Sequence, residues 1–234
     1  LTARAPLPSA AHLKRLHQVW RSAGWPCLDN IELDLLAAGL LTRHWDEAGR
    51  QTLRVSDSGI AALAVKRQRH QQALSAHEEL VGRVATEMQR AGRLVWRGLG
   101  LRAPLPGVDG STHWPTVVPD LFSIRNTTLE DCTEPVVHEI KVSRADLRSD
   151  LQRPAKGQAY LALASQCWYV LQRGIAQVDE VPAEYGVLWA DAQGFEVGRP
   201  APKRAMRLPF MVWMALARAP AVAPLDGDEQ AHLK

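Results

Sequence analysis

Apolar residues recur at helical spacing over residues 10 to 22. There Leu13, Leu16, His17 and Trp20 form one stripe behind Ser9, a suitable N-cap. On that stripe His17 reads as a core histidine rather than a ligand. A second helix is expected after the Trp25-Pro26 break. Asp29 and Glu32 make a capping-box-like pair, Ile31, Leu35 and Leu36 face inward, and Gly39 closes the C-terminus. The period then shortens to two in LLTRHWDEAGRQTLRV, which predicts a hairpin turning at Glu47-Ala48-Gly49. SDSGIAALAVKRQ opens a further helix capped by Ser56 or Asp57.

A helix over 75 to 91 starts the second half, with Val81, Val84, Ala85 and Met88 on its buried face. RLVWRG (93 to 98) is a short strand, followed by a Gly-, Pro-, His- and Trp-rich loop to residue 118. A loop of that length needs a reason. Arg97, Arg102, His113 and Trp114 suit it to flanking a substrate, and a disordered surface excursion is the alternative. Two apolar runs around residues 120 to 142 are expected to pair as strands. Ser143 then caps a short helix, Pro154 starts another through KGQAYLALAS, and CWYVLQ and YGVLWAD supply further strands of a mixed sheet. A last helix shows Phe210, Trp213, Met214 and Ala217 on one face, a pattern of core packing. These elements divide the chain into residues 1 to 70, residues 71 to 219, and a flexible tail over 220 to 234. The fold class expected is α/β with a mixed central sheet.

The chemistry concentrates in PDLFSIRNTTLEDCTEPVVHEIK, residues 119 to 141. Alternate residues of a strand share a face, so Val137, Glu139 and Lys141 point one way while His138, Ile140 and Val142 point the other. A carboxylate on a core-like strand is costly to desolvate and persists when a partner charge or a metal compensates. If the hairpin brings Asp120 beside Glu139, two hard oxygen ligands converge next to an ammonium. That set suits Mg²⁺ or Mn²⁺ and an activated water. The alternative is an ion pair at a strand end.

The spacing of Asp120, Glu139 and Lys141 resembles the PD-(D/E)XK phosphodiesterase superfamily. The continuation HEIKVSRADLRSDLQRPAKGQAY is similar to its MmcB-like DNA-repair branch, over about residues 118 to 218. The resemblance implies a restriction-endonuclease-like αβββαβ core. It implies a metal-dependent DNA endonuclease or repair nuclease, with Asp120 and Glu139 holding the ion and Lys141 polarising the attacking water. It also implies a further metal-ligating Glu from the preceding helix. Glu78 is favoured over Glu79, because it shares a face with Val81 and Ala85. From the helix after the ExK strand it implies a polar side chain near the scissile phosphate, Gln158 or Lys156, with Gln158 sharing a face with Ala155, Ala159 and Ala162. The competing reading is a non-catalytic DNA- or protein-binding module on a degenerate nuclease fold.

The amino-terminal order of helix, hairpin, helix resembles the second half of a winged-helix domain, with two helices before the wing rather than three. Its would-be recognition helix exposes Asp29, Glu32 and Asp34, which would repel phosphate, while the hairpin carries Arg43, His44, Arg50 and Arg54. Residues 1 to 75 hold ten Lys and Arg against six Asp and Glu. Both a wing that touches phosphates and a module that docks on a neighbour or a second subunit fit this balance. One Asp/Glu/Lys set hydrolyses one bond, so a homodimer with contacts from residues 1 to 70 is expected for double-strand cleavage.

Composition adds little. Six of the 28 basic residues are lysines and the rest arginines, the side chain suited to bidentate phosphate contacts and also the mark of a GC-rich genome. Cys27, Cys132 and Cys167 lack zinc spacing and read as reduced core thiols. Neither a membrane span nor a signal peptide is apparent, so a cytoplasmic protein is expected. The chain opens on Leu1, which points to a trimmed start or a piece of something longer. A nucleotide-binding Gly loop is lacking, and ATP use is not expected.

Overall fold

The computed structural model describes residues 8–107 and 109–223. The chain divides into two units, Leu1–Gln72 and Ala73–Lys234. The first contains helices α1 (Ala10–Arg21) and α2 (Asn30–Ala37), the antiparallel strands β1 (Leu41–Trp45) and β2 (Gln51–Val55), and the start of α3 (Asp57–Arg90). Its core is Leu16, Val19, Leu35, Leu41 and Leu53. Gly24 accepts the Leu53 amide at 2.6 Å, and a Cβ there would lie 2.1 Å from the Leu53 carbonyl oxygen, so the chain crosses the hairpin only as glycine.

Several expectations for this unit change. The inward face of α1 is Leu16 with Val19, one position round from the expected stripe, so His17 and Trp20 are exposed. Glu32 is buried rather than exposed. It accepts the amides of Cys27 and Leu28 and pairs with Arg15, which also holds Asp29, while His12 holds Asp34. The acidic face that suggested phosphate repulsion or self-association is thus largely neutralised within the unit. Cys27 and Cys132 are exposed, and Cys167 alone is buried.

One helix, α3, runs where two were expected, because nothing between Asp57 and Arg90 breaks the period: Gly59 and Gly82 are its only glycines and it has no proline. From Ala73 on, α3 lays Leu80, Val81, Val84 and Ala85 on one side of a six-stranded sheet. The strands are β3 (Arg93–Arg97), β8 (Leu121–Arg125), β9 (Val136–Lys141), β10 (Gln166–Gln172), β11 (Gly186–Ala190) and β12 (Phe195–Arg199). Their order is β12-β11-β10-β9-β8-β3; β9, β10 and β11 are parallel and the remaining pairings antiparallel. This is a mixed α/β architecture. Helices α4 (Arg144–Leu151), α5 (Pro154–Leu163) and α6 (Phe210–Arg218) contribute Leu147, Tyr160, Leu163, Val212 and Leu216 to the larger core, with Phe122, Val137, Tyr169 and Leu171 from the sheet.

Residues 98 to 118 are not a structureless excursion. Within them β4 (Leu101–Arg102) pairs with β7 (Thr116–Val117), and β5 (Leu105–Pro106) with β6 (Thr112–His113). Leu101 and Ala103 are anchored in the core. Strand β12, FEVGR, adds to the expected sheet as a five-residue edge strand paired only with β11, and it buries neither face fully. On α6 the buried residues are Val212 and Leu216 rather than the expected stripe, and Phe210 is 74% exposed. The first residues of the expected tail are bonded to the sheet: Val222 donates to the Val95 carbonyl at 2.8 Å. Residues 224–234 lie outside those described. No helix among the described residues is long and apolar enough to cross a membrane.

His138 gives a test of this packing. It lies on the face opposite Glu139, is buried, and its Nδ1 has no partner. Burial, helped by the charge of Arg93, lowers its pKa to about 3. The unfolded chain therefore takes up a proton that the fold refuses, and stability falls as pH drops from about 6.5 toward 3, by about 1.4 kcal/mol per pH unit. Denaturant titrations across that range should show His138→Leu losing less stability than wild type as pH falls. Parallel pH curves would mean that the fold protonates His138.

Candidate functional site

Antiparallel pairing sets Leu121 against His138 and Phe122 against Val137, so one step further along the ladder Asp120 comes level with Glu139. Asp120 Oδ2 accepts the Ile140 amide at 2.7 Å, which fixes the carboxylate against β9. Two residues beyond Glu139 on the same face, Lys141 Nζ donates to Glu139 Oε1 at 2.7 Å. The three residues expected to converge do so.

A second ammonium joins them. Ala159, Tyr160 and Leu163 form the buried face of α5, and Lys156 lies three, four and seven residues before them on the same face. Its Nζ also donates to Glu139 Oε1. Gln158, two positions on, projects about 200° around the helix and is exposed, so it is not brought to the site. Gly157 allows α5 to approach this closely: a Cβ there would sit 2.5 Å from the Tyr185 hydroxyl.

Two further residues, not anticipated, complete the network. Asp150, in the last turn of α4, accepts from Lys156 Nζ on Oδ1 at 2.6 Å and from the Tyr169 hydroxyl on Oδ2 at 2.8 Å. Lys141 Nζ lies 3.8 Å from the same Oδ1. The available signal was that Asp150 follows Leu147 by three residues, an acid on an apolar helical face. Tyr169 gave no such signal, since a tyrosine in a β-rich run reads as core.

The charges are unequal in comfort. Burial raises the Glu139 pKa most, the nearby Asp120 carboxylate raises it further, and the two lysines oppose both. Burial alone would raise Asp150 too, but the hydrogen bond from Lys156, the charges of both lysines and Tyr169 hold it below its usual range. Burial tends to lower Lys156, yet Glu139 and Asp150 hold it above the usual lysine value. Burial and the Glu139 charge push the Tyr160 phenol well up, so it stays protonated and donates to the Val118 carbonyl at 3.0 Å.

Glu78 is not gathered here. It is 58% exposed and pairs with Arg97 at 2.8 Å, because its helix turns the preceding residue, His77, toward the sheet instead. His77 Nε2 lies 3.4 Å from Asp120 Oδ2. Among the described residues no group of three or more His, Cys, Asp and Glu side chains is placed to hold a metal. Two carboxylates are present, however, and Glu139 Oε2 is buried without a hydrogen-bond partner. An octahedral Mg²⁺ takes one or two carboxylates and fills its remaining positions with water and substrate oxygens. The pair Asp120 and Glu139 fits such an ion, which would also offset the crowding of negative charge that raises Glu139.

No family model and no curated protein matches the chain. It is similar to a solved structure, the SPO1766 protein of unknown function from Silicibacter pomeroyi, at 24% identity and a TM-score of 0.41, over 58% of this chain and 77% of that one.

Proposed function

We propose that the chain is a metal-dependent phosphodiesterase of the PD-(D/E)XK type that cuts DNA. The observation that carries the reading is Glu139: a buried carboxylate with two ammoniums on one oxygen, none on the other, and a second carboxylate level with it. Asp120 and Glu139 would hold Mg²⁺ or Mn²⁺, which when bound supplies a Lewis acid and a water activated at neutral pH. Lys141 orients the attacking water and offsets charge developing on the phosphate. Lys156 places a second positive charge beside it, an arrangement worth far more in a site shielded from water than in bulk solvent. The succession of the α3 end, β3, β8, β9, α5 and β10 supports an αβββαβ nuclease core.

The first unit reads as winged-helix-like, with the β1–β2 hairpin as its wing. Arg43, His44 and Arg54 on that hairpin are exposed, and the acids of α2 are paired within the unit, which favours phosphate contact over repulsion. A homodimer would bring two such sites to a duplex, one for each strand.

A second reading, a DNA- or protein-binding module without catalysis, is favoured by the lack of a third metal-ligating side chain among the described residues. A supercoiled plasmid separates the two. Nicked product should form with Mn²⁺ or Mg²⁺ and disappear with EDTA, while binding weakens with salt as counterions compete for the phosphates. Full activity in excess EDTA removes the metal role, and binding without nicking in either metal favours the second reading.

A further inference from the structure

Glu139 Oε1 carries two ammoniums, and like charges that share one oxygen repel unless a second acid stands by. Asp150 is that acid. Its Oδ1 lies 2.6 Å from Lys156 Nζ and 3.8 Å from Lys141 Nζ. Its Oδ2 is held at 2.8 Å by the Tyr169 hydroxyl, and Tyr169 lies opposite Glu139 in the β9–β10 ladder. Asp150 is therefore fixed to the same stretch of sheet that presents Glu139, although it comes from α4. Lys156 is flexible by nature, an ammonium on four methylenes that loses rotamer freedom when held. With Glu139 as its only anchor, that ammonium would depend on the oxygen that already serves Lys141.

We infer that Asp150 is a positioning residue: it tethers Lys156 independently of Glu139 and keeps two ammoniums side by side at the site. This role rests on the phosphodiesterase reading for its catalytic consequence, though not for the tether itself. Asp150 touches no reacting atom; it would act through Lys156, which the proposed function sets beside the phosphate.

The tether is measured first, on the metal-free full chain. Amine-selective ¹⁵N NMR detects lysine ammoniums protected from exchange by strong hydrogen bonds, and six lysines make the spectrum tractable. Wild type should show a protected signal that vanishes in Lys156→Met, and Asp150→Asn should lose the same signal. Loss of cleavage is measured second. Asp150→Asn should lower kcat by about 10- to 100-fold, the range for residues that orient those at a metal site, with little change in KM for DNA. If Asp150 acts through Lys156, the Asp150→Asn/Lys156→Met double variant should be no slower than Lys156→Met alone.

A retained Lys156 signal in Asp150→Asn overturns the inference, as does a double variant slowed by the product of the single effects. Should Asp150→Asn fail to fold, Tyr169→Phe, which frees the other Asp150 oxygen, should weaken the same signal; an undiminished signal there also overturns it. A tether that behaves as expected in a protein that cuts no DNA with either metal leaves the positioning in place and removes the phosphodiesterase reading. Metal-dependent cutting indifferent to Asp150 does the reverse.

Discussion

Glu139→Gln should lower metal-dependent cleavage by at least about 100-fold, the upper loss seen when residues that merely support metal ligands are replaced. Glutamine keeps the volume of the side chain and an oxygen for the lysines. It removes the charge whose second oxygen has no other partner. On the proposed function DNA binding should change little, because both lysines keep their charge. The same substitution should abolish Mn²⁺ binding measured by calorimetry without DNA, a readout independent of turnover. A variant that still cuts at the wild-type rate would exclude Glu139 as a ligand.

The second large effect is on stability. Phe122→Ala should destabilise the second unit by about 3–5 kcal/mol, the range for a large aromatic removed from a core. Phe122 is fully buried, packs against Trp96 at a ring-centroid distance of 6.5 Å, and lies two residues from Asp120 on the same face. The cavity would open beneath the site, so the denaturation midpoint should fall and cleavage with it. Equilibrium guanidinium titration measures the first. A loss under about 1 kcal/mol, the usual result of a surface change, would show that the core closes over the gap.

Local rules of sequence determined which residues share a face with Glu139. A strand's period of two places Glu139 and Lys141 together whatever the strand packs against, and a polar connection between two consecutive apolar runs makes antiparallel pairing with the Asp120 strand the expected outcome. Capping by Ser9, Asp29 and Ser143 was equally legible, because a cap bonds to backbone two or three residues away. Helix faces were less secure. In α5 the alanines, Lys156, Gln158 and Tyr160 allow two inward faces of similar apolarity, and only docking on β10 turned Lys156 in and Gln158 out.

The tertiary structure alone decided everything that joins residues distant in the chain. Asp150 became part of the site because Tyr169, 19 residues on, supplies a hydroxyl where α4 ends. Glu32 is buried because Arg15 from α1 joins the amides of Cys27 and Leu28 on it, although an acid in the first turn of a short helix is ordinarily solvated. Glu78 and His77 are neighbours on one helix, and the sheet selected the histidine for Asp120 while Arg97 took the glutamate. The physical reason is common to these cases. Periodicity and caps are set by interactions over a few residues, whereas the cost of burying a charge depends on which partner a remote segment brings to it.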